Sequence, residues 1–129
     1  MSTDSGQVWN RTNAFSSDIT GIVCNTDCSN IVVTLFGNTI HSSTDYGQSF
    51  TSQNSVGEKN WNGICANADF TTYVATSQYA IWRIDSSNWD SVQLLNAPAI
   101  SWVDIASTPD LEKLVACALG DYLHQSVDG

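Results

Sequence analysis

A few side chains in this 129-residue sequence could carry chemistry, and each would need a particular neighbour to do so. Asp18 and Asp104 are candidates for a paired-carboxylate site. Such pairs cleave glycosidic bonds when the two carboxyls stand about 5–9.5 Å apart. His41 and His124 could move protons near neutral pH or ligate a metal. Trp61 and Trp102 could stack on a sugar ring. Cys24, Cys28, Cys65 and Cys117 do not form the paired CxxC motifs of a zinc site, so no metal and no cofactor is expected. Cys24 and Cys28 could face each other across a tight turn, as a disulfide or as thiols. Reduced, buried thiols are the expected state, because Cys packs as a small hydrophobe.

The charge balance limits the partners. Arg11, Lys59, Arg83 and Lys113 are the whole basic complement, and the net charge is −9. Phosphate backbones and anionic lipid surfaces both require clustered Lys and Arg, so neither nucleic acid nor a membrane is an expected partner. No apolar run approaches the roughly 18 residues of a membrane-spanning helix. Met1 is followed directly by polar residues, so no signal peptide is visible, and an intracellular chain or an excised piece of a longer one is expected. The sequon Asn10-Arg11-Thr12 would matter only in a secreted protein.

Any site depends on the elements that position these groups, and internal repetition defines them. Ser2-Thr3-Asp4-Ser5-Gly6-Gln7-Val8-Trp9 recurs as Ser43-Thr44-Asp45-Tyr46-Gly47-Gln48-Ser49-Phe50. A degenerate copy holds Asp85 and Trp89, with Ser87 in place of Gly, and a truncated one holds Ser126 and Asp128. A second landmark runs from Ile19, Trp61 and Trp102, and a third from Ile31, Tyr73 and Leu114. Each copy divides into four short strands: A from those first positions, B from the second, C from Thr39, Ala80 and Tyr122, and D over 8–11, 50–53 and 91–94. Short β-rich runs separated by Gly, Asn, Asp and Ser predict antiparallel meanders. Four-stranded units of ~40–45 residues have the size of propeller blades. The expected fold is therefore all-β. The chain, 1–129, reads as one β-propeller segment of three four-stranded blades, with repeats at about 2–42, 43–82 and 83–125 and a truncated fourth box at 126–129.

The motif Ser/Thr-x-Asp-x-Gly-x-x-Trp/Phe resembles the Asp-box, or BNR repeat, of sialidases, sortilin-type receptor domains, some xyloglucan hydrolases and photosystem assembly factors. The resemblance covers essentially the whole chain and implies a propeller, while the family hosts many activities. It implies structural turns on the outer rim, with Ser2, Asp4, Gly6 and Trp9 in the first box and Ser43, Asp45, Gly47 and Phe50 in the second. Asp85 and Trp89 carry the degenerate box, whose turn is expected to be looser or reshaped. Sialidases of this type bind their substrate with three arginines, whereas this chain has only Arg11 and Arg83, so that activity is not expected.

Three blades are fewer than the 4–8 that close a ring. The chain begins at a strand D and ends at a strand C. Pairing of a segment around Val8 and Trp9 with a strand around Leu123 and His124 of a second copy would give a six-bladed homodimer of half-propellers and cover two sheet edges. In that frame Asp18, Asp104, Trp61 and Trp102 are the candidates to line a central pocket, with turn positions and interblade packing as the competing roles. His41 and His124 fall on different blades, too far apart to share a ligand. The expected function is a non-catalytic binding or scaffold module for protein or glycan ligands. The alternatives are a lectin or glycoside hydrolase using the central pocket, or a designed or excised propeller fragment.

Overall fold

A computed structural model describes residues 2, 5–9, 11 and 17–128. Among these, all regular structure is antiparallel β except a single 3-10 turn at Asn54–Val56. The strands are β1 (Ile19–Cys24), β2 (Ile31–Leu35), β3 (Ile40–Ser43), β4 (Thr51–Gln53), β5 (Trp61–Ala66), β6 (Thr72–Ser77), β7 (Ala80–Asp85), β8 (Val92–Leu94), β9 (Trp102–Ser107), β10 (Leu114–Ala118) and β11 (Leu123–Ser126). They form three meanders, β1-β2-β3-β4, β5-β6-β7-β8 and β9-β10-β11. The third has three strands, and β11 pairs only with β10 among the described residues.

The first strand of each meander begins where the repeat landmark does, at Ile19, Trp61 and Trp102. The expected strand at 8–11 does not form: Val8, Trp9 and Arg11 lie in no strand, and Asn10 is outside the described residues.

The first hairpin of each meander closes by one turn, used three times. Cys28, Phe70 and Leu111 hold φ of 57°, 58° and 61°. Their N–H groups donate to the carbonyls of Asn25, Asn67 and Thr108 at 2.9–3.1 Å. The side chains of those same three residues accept N–H groups near the end of the turn: Asn25 from Asn30, Asn67 from Thr71 and Thr72, and Thr108 from Lys113. A left-handed backbone costs a non-glycine residue about 1–2 kcal/mol. Burial of the Phe70 and Leu111 side chains in the interblade core offsets that cost.

The core lies between sheets. One face of the second sheet (Trp61, Ile64, Tyr73, Ala75, Ile84) packs on Val32 and Ile40 of the first. The same face of the third (Trp102, Ile105, Leu114, Ala116) packs on Cys65, Val74 and Ile81 of the second. The two tryptophans are fixed alike: the Trp61 indole donates to the Gly57 carbonyl at 3.3 Å and that of Trp102 to Pro98 at 3.1 Å. Lys59 Nζ stands 5.2 Å from the Trp61 ring and 4.8 Å from that of Trp82, a cation held on two π faces.

Strands β1, β5 and β9 lie side by side, and glycine permits the approach. A Cβ on Gly21 would fall 2.6 Å from the Asn62 carbonyl oxygen, and one on Gly63 would fall 2.7 Å from Asp104 Cα. Side chains one position earlier bridge the gap: Thr20 Oγ1 donates to the Trp61 carbonyl at 2.8 Å, and Asn62 Nδ2 donates to that of Trp102 at 2.7 Å.

Candidate functional site

The box turns are built as hydrogen-bonded loops. In the second, Ser43 Oγ donates to Asp45 Oδ1 at 2.7 Å and accepts the Gly47 N–H at 3.0 Å. Ser49 donates to Asp45 through its N–H at 2.9 Å and its hydroxyl at 2.6 Å. These bonds hold the Asp45 carboxyl down to about 2, the Ser49 hydroxyl contributing most. Tyr46 and Gly47 have φ of 61° and 78°.

The first box repeats the visible part of this pattern. Ser5 and Gly6 have φ of 58° and 88°, and Ser2 Oγ accepts the Gly6 N–H at 2.9 Å. Asp4 lies outside the described residues. In each box the aromatic ring lies over the glycine: a Cβ on Gly6 would meet the Trp9 ring at 3.8 Å, and one on Gly47 the Phe50 ring at 3.7 Å.

In the degenerate box no residue from Asp85 to Trp89 adopts a positive φ. Ser87 donates to Asp85 through both its N–H and its hydroxyl. The turn is reshaped around the serine that replaces glycine. Trp89 stacks on Tyr73 at 5.4 Å, which places its ring on the interblade core. At the C-terminal end Ser126 Oγ donates to Asp128 at 2.7 Å, the serine–aspartate bond of the second box.

The residues considered for a central pocket are not brought together as one. Trp61 and Trp102 are fully buried between sheets, so neither presents a ring face to a channel. Asp104 is exposed on β9, and its Oδ1 accepts the N–H of the next residue, Ile105. Asp18 precedes β1, and its backbone carbonyl accepts the Phe36 N–H. Asp27 and Asp110 are occupied in their turns by Ser29 and by Thr108 and Glu112.

His41 is buried on β3 with Nδ1 3.3 Å from Ser52 Oγ, and desolvation pushes its pKa below the usual histidine value. His124, on β11, stands 3.3 Å from the Asp121 carboxylate and edge-on to Trp102 at 5.1 Å. Asp121 is held below the ordinary carboxylate range, first by the Tyr122 N–H and then by His124. The four cysteines are free thiols, but of the buried set expected only Cys65 is buried; Cys28 and Cys117 are half-buried and Cys24 is exposed. Cys24 is raised to about 11 by desolvation and by its bond to Cys28. Among the described residues no three His, Cys, Asp or Glu side chains cluster as metal ligands would.

Two other features stand out, both at the ends of the blade series. At repeat-equivalent positions Trp61 and Trp102 are buried while Ile19 is 52% exposed, and Ile64 and Ile105 are buried while Ile22 is 66% exposed. On the opposite face Ile40 and Ile81 are buried while Leu123 is 69% exposed. The leading face of the first sheet and the trailing face of the third thus expose positions that the intervening sheets cover.

The second feature is a cavity of about 320 Å³ on the third sheet. Trp102, Ile105, Leu114, Ala116 and His124 line it, and residues 95–98 form one wall. Sequence reasoning missed that wall, whose signal was only the spacing between the 91–94 strand and Trp102.

No family model matches the chain and no curated protein matches it. Solved structures do. The GH74 xyloglucanase from Xanthomonas campestris aligns with a TM-score of 0.65 at 15% identity, over 87% of this chain and 20% of that one. The β-propeller domain of Cps50 (Swd1) from Myceliophteria thermophila aligns with a TM-score of 0.61 at 16% identity, over 79% and 35%. The PQQ domain of pyranose dehydrogenase from Coprinopsis cinerea aligns at 0.60 and 14%, over 78% and 27%. At such identities the likeness is one of fold: the three sheets are blades of a β-propeller. The chain spans between about a fifth and a third of the length of these neighbours.

Proposed function

We propose that this chain is a half-propeller that assembles head to tail with a second copy into a six-bladed, twofold ring, and that the ring is a non-catalytic binding or scaffold module. The exposure pattern carries the reading. A trailing face with Leu123 exposed and a leading face with Ile19 and Ile22 exposed are the two halves of an interblade contact the chain already makes twice. Burying apolar surface is worth about 25 cal/mol per Å², and a twofold dimer would bury both ends at once.

The box turns support placing the chain with the Asp-box propellers. The serine-to-glycine bond and the left-handed pair recur at Ser2, Ser5 and Gly6 and at Ser43, Tyr46 and Gly47. A binding role is favoured over catalysis because three of the candidate groups are engaged elsewhere: Asp104 with the Ile105 N–H, and Trp61 and Trp102 within the core. The ligands such a face suits are proteins or glycans.

Light scattering during size-exclusion chromatography tests the assembly. The expected mass is twice the 14.0 kDa chain, independent of loading above the dissociation constant. A folded 14.0 kDa species persisting to the highest attainable concentration would overturn it.

A further inference from the structure

We propose, resting on the binding-module reading above, that the groove between the β1–β2 and β5–β6 turns takes an extended, lysine- or arginine-bearing peptide segment of a partner protein. Two junctions inside the chain differ there. At the start of the inner strands both are closed alike, by the Thr20 hydroxyl on the Trp61 carbonyl and by the Asn62 amide on the Trp102 carbonyl. At the other end, where the strands turn back, they part. Thr26, Ala68 and Pro109 hold the same place in the three turns, each two residues beyond its strand. The Ala68 N–H donates to the Pro109 carbonyl at 2.7 Å and ties the second turn to the third. The equivalent bond, from the Thr26 N–H to the Ala68 carbonyl, is not made, and neither group has another partner among the described residues. A groove of about 370 Å³ opens instead, lined by Val23, Thr26, Ala66, Ala68 and Phe70 and reaching Pro109. All its walls are turns and strands that the three blades themselves supply.

A donor on one wall and an acceptor on the other match the backbone of an extended peptide, whose carbonyl takes the Thr26 N–H and whose N–H reaches the Ala68 carbonyl. Val23, Ala66 and Phe70 give its side chains an apolar floor, and the volume lies in the range of binding pockets, about 300–1,000 Å³. Charge selects among peptides. The residue after each of Thr26, Ala68 and Pro109 is an aspartate, and Asp27, Asp69 and Asp110 are all exposed. The Ser29 hydroxyl holds Asp27, and the Thr108 hydroxyl Asp110, below the ordinary carboxylate range, so both are ionised at neutral pH. Glu112 adds a fourth acid, and Lys113 is the one base in the turns at 25–30, 67–72 and 108–113. A cationic side chain beside the groove is therefore attracted and an acidic one repelled. An uncharged glycan would gain nothing from these carboxylates.

The probe is a blocked hexapeptide of alternating lysine and valine, titrated into the isotope-labelled full chain and followed by two-dimensional NMR. A counterpart with glutamate for lysine is the control. The lysine peptide is expected to move the Thr26 amide resonance downfield in a saturable way, together with those of Ala68 and Phe70, and the glutamate peptide to leave them in place. Thr26→Pro removes the donor at a turn position where the third blade already carries proline. The turn is therefore expected to form and binding to fall about fivefold or more, as it does when a hydrogen-bond acceptor is left unpaired. Asp69 makes no hydrogen bond among the described residues. Asp69→Asn is expected to weaken binding at low salt more than at high salt, where the carboxylate is already screened.

A Thr26 amide that stays in place at saturating lysine peptide overturns the groove. So does a glutamate peptide that binds as tightly, or a folded Thr26→Pro variant that binds as tightly as the parent. Should Thr26→Pro fail to fold, Asp69→Asn decides, and an affinity equal to the parent's at low salt overturns the proposal. Peptide shifts confined to another surface keep the binding module and overturn the groove. The ring is judged separately, by mass. A dimer whose Thr26 amide ignores the peptide keeps the half-ring and loses the groove. A monomer whose Thr26 amide responds keeps the groove and loses the half-ring.

Discussion

At the scale of single residues, the box aspartates serve as turn acceptors. Asp45 is half-buried, and its carboxylate takes hydrogen bonds from Ser43 and Ser49 that hold it ionised down to about 2. Because the folded value lies below the unfolded one near 3.8, Asp45 contributes stability that is fully present above about pH 4 and is lost as pH falls towards 2. Asp45→Asn, which keeps shape and removes the charge, should therefore melt below the parent at pH 5, with a gap that closes by pH 2. Thermal melts of both proteins across that range measure it. A gap that stays constant with pH would mean that the carboxylate's charge is irrelevant to the turn.

The elements depend on close approach between strands. Gly63 shows the limit: an alanine there would put its Cβ against the Asp104 carboxylate and 2.9 Å from the Ile105 nitrogen. Two backbones would have to separate, and overpacking of this kind costs about 3 kcal/mol. Gly120 has open space around it but a φ of +72°, so Gly120→Ala should lose only about 1 kcal/mol, the left-handed penalty alone. Chemical denaturation of the two variants distinguishes steric from conformational glycines, and equal losses would contradict the packing seen between β5 and β9. The same comparison shows how far the sequence could be read. Strand starts at Ile19, Trp61 and Trp102 were legible because β-branched and aromatic runs alternate with turn residues at a fixed period. The burial of Trp61 and Trp102 was not, because a tryptophan that fills an interblade gap and one that lines a channel share the same strand position. Nor was the left-handed residue at Cys28, Phe70 and Leu111, where three unlike side chains hide one backbone conformation. The 3-10 turn at Asn54–Val56 gave no periodic signal at its length.

At the scale of the whole molecule, the outward side of the last blade differs chemically from the corresponding sides of the first two. Between blades within the chain, a donor and then a glycine face the next strand: Thr20 with Gly21, and Asn62 with Gly63. At the repeat-equivalent place on the last blade stand Val103 and Asp104, an exposed apolar side chain followed by an exposed carboxylate. If a second copy docked in the same geometry, the Asp104 Cβ would meet its backbone as a Cβ on Gly63 meets Asp104, and no side chain would donate to its carbonyl. A contact between copies would then have to shift at Asp104 while still covering Ile19 and Ile22 on one side and Leu123 on the other. Converting the pair to the internal pattern, Val103→Asn with Asp104→Gly, restores both the donor and the clearance. A net hydrogen bond is worth about 1 kcal/mol, and relief of the steric conflict adds to it; tenfold corresponds to about 1.4 kcal/mol, and because a twofold ring contains the junction twice the double variant should associate about a hundredfold more tightly. Sedimentation equilibrium of the parent and the double variant at matched concentration measures the change. Unchanged or weaker association would mean that the last blade does not meet the first through the strands that line the axis, and that any assembly of this chain is built on another surface.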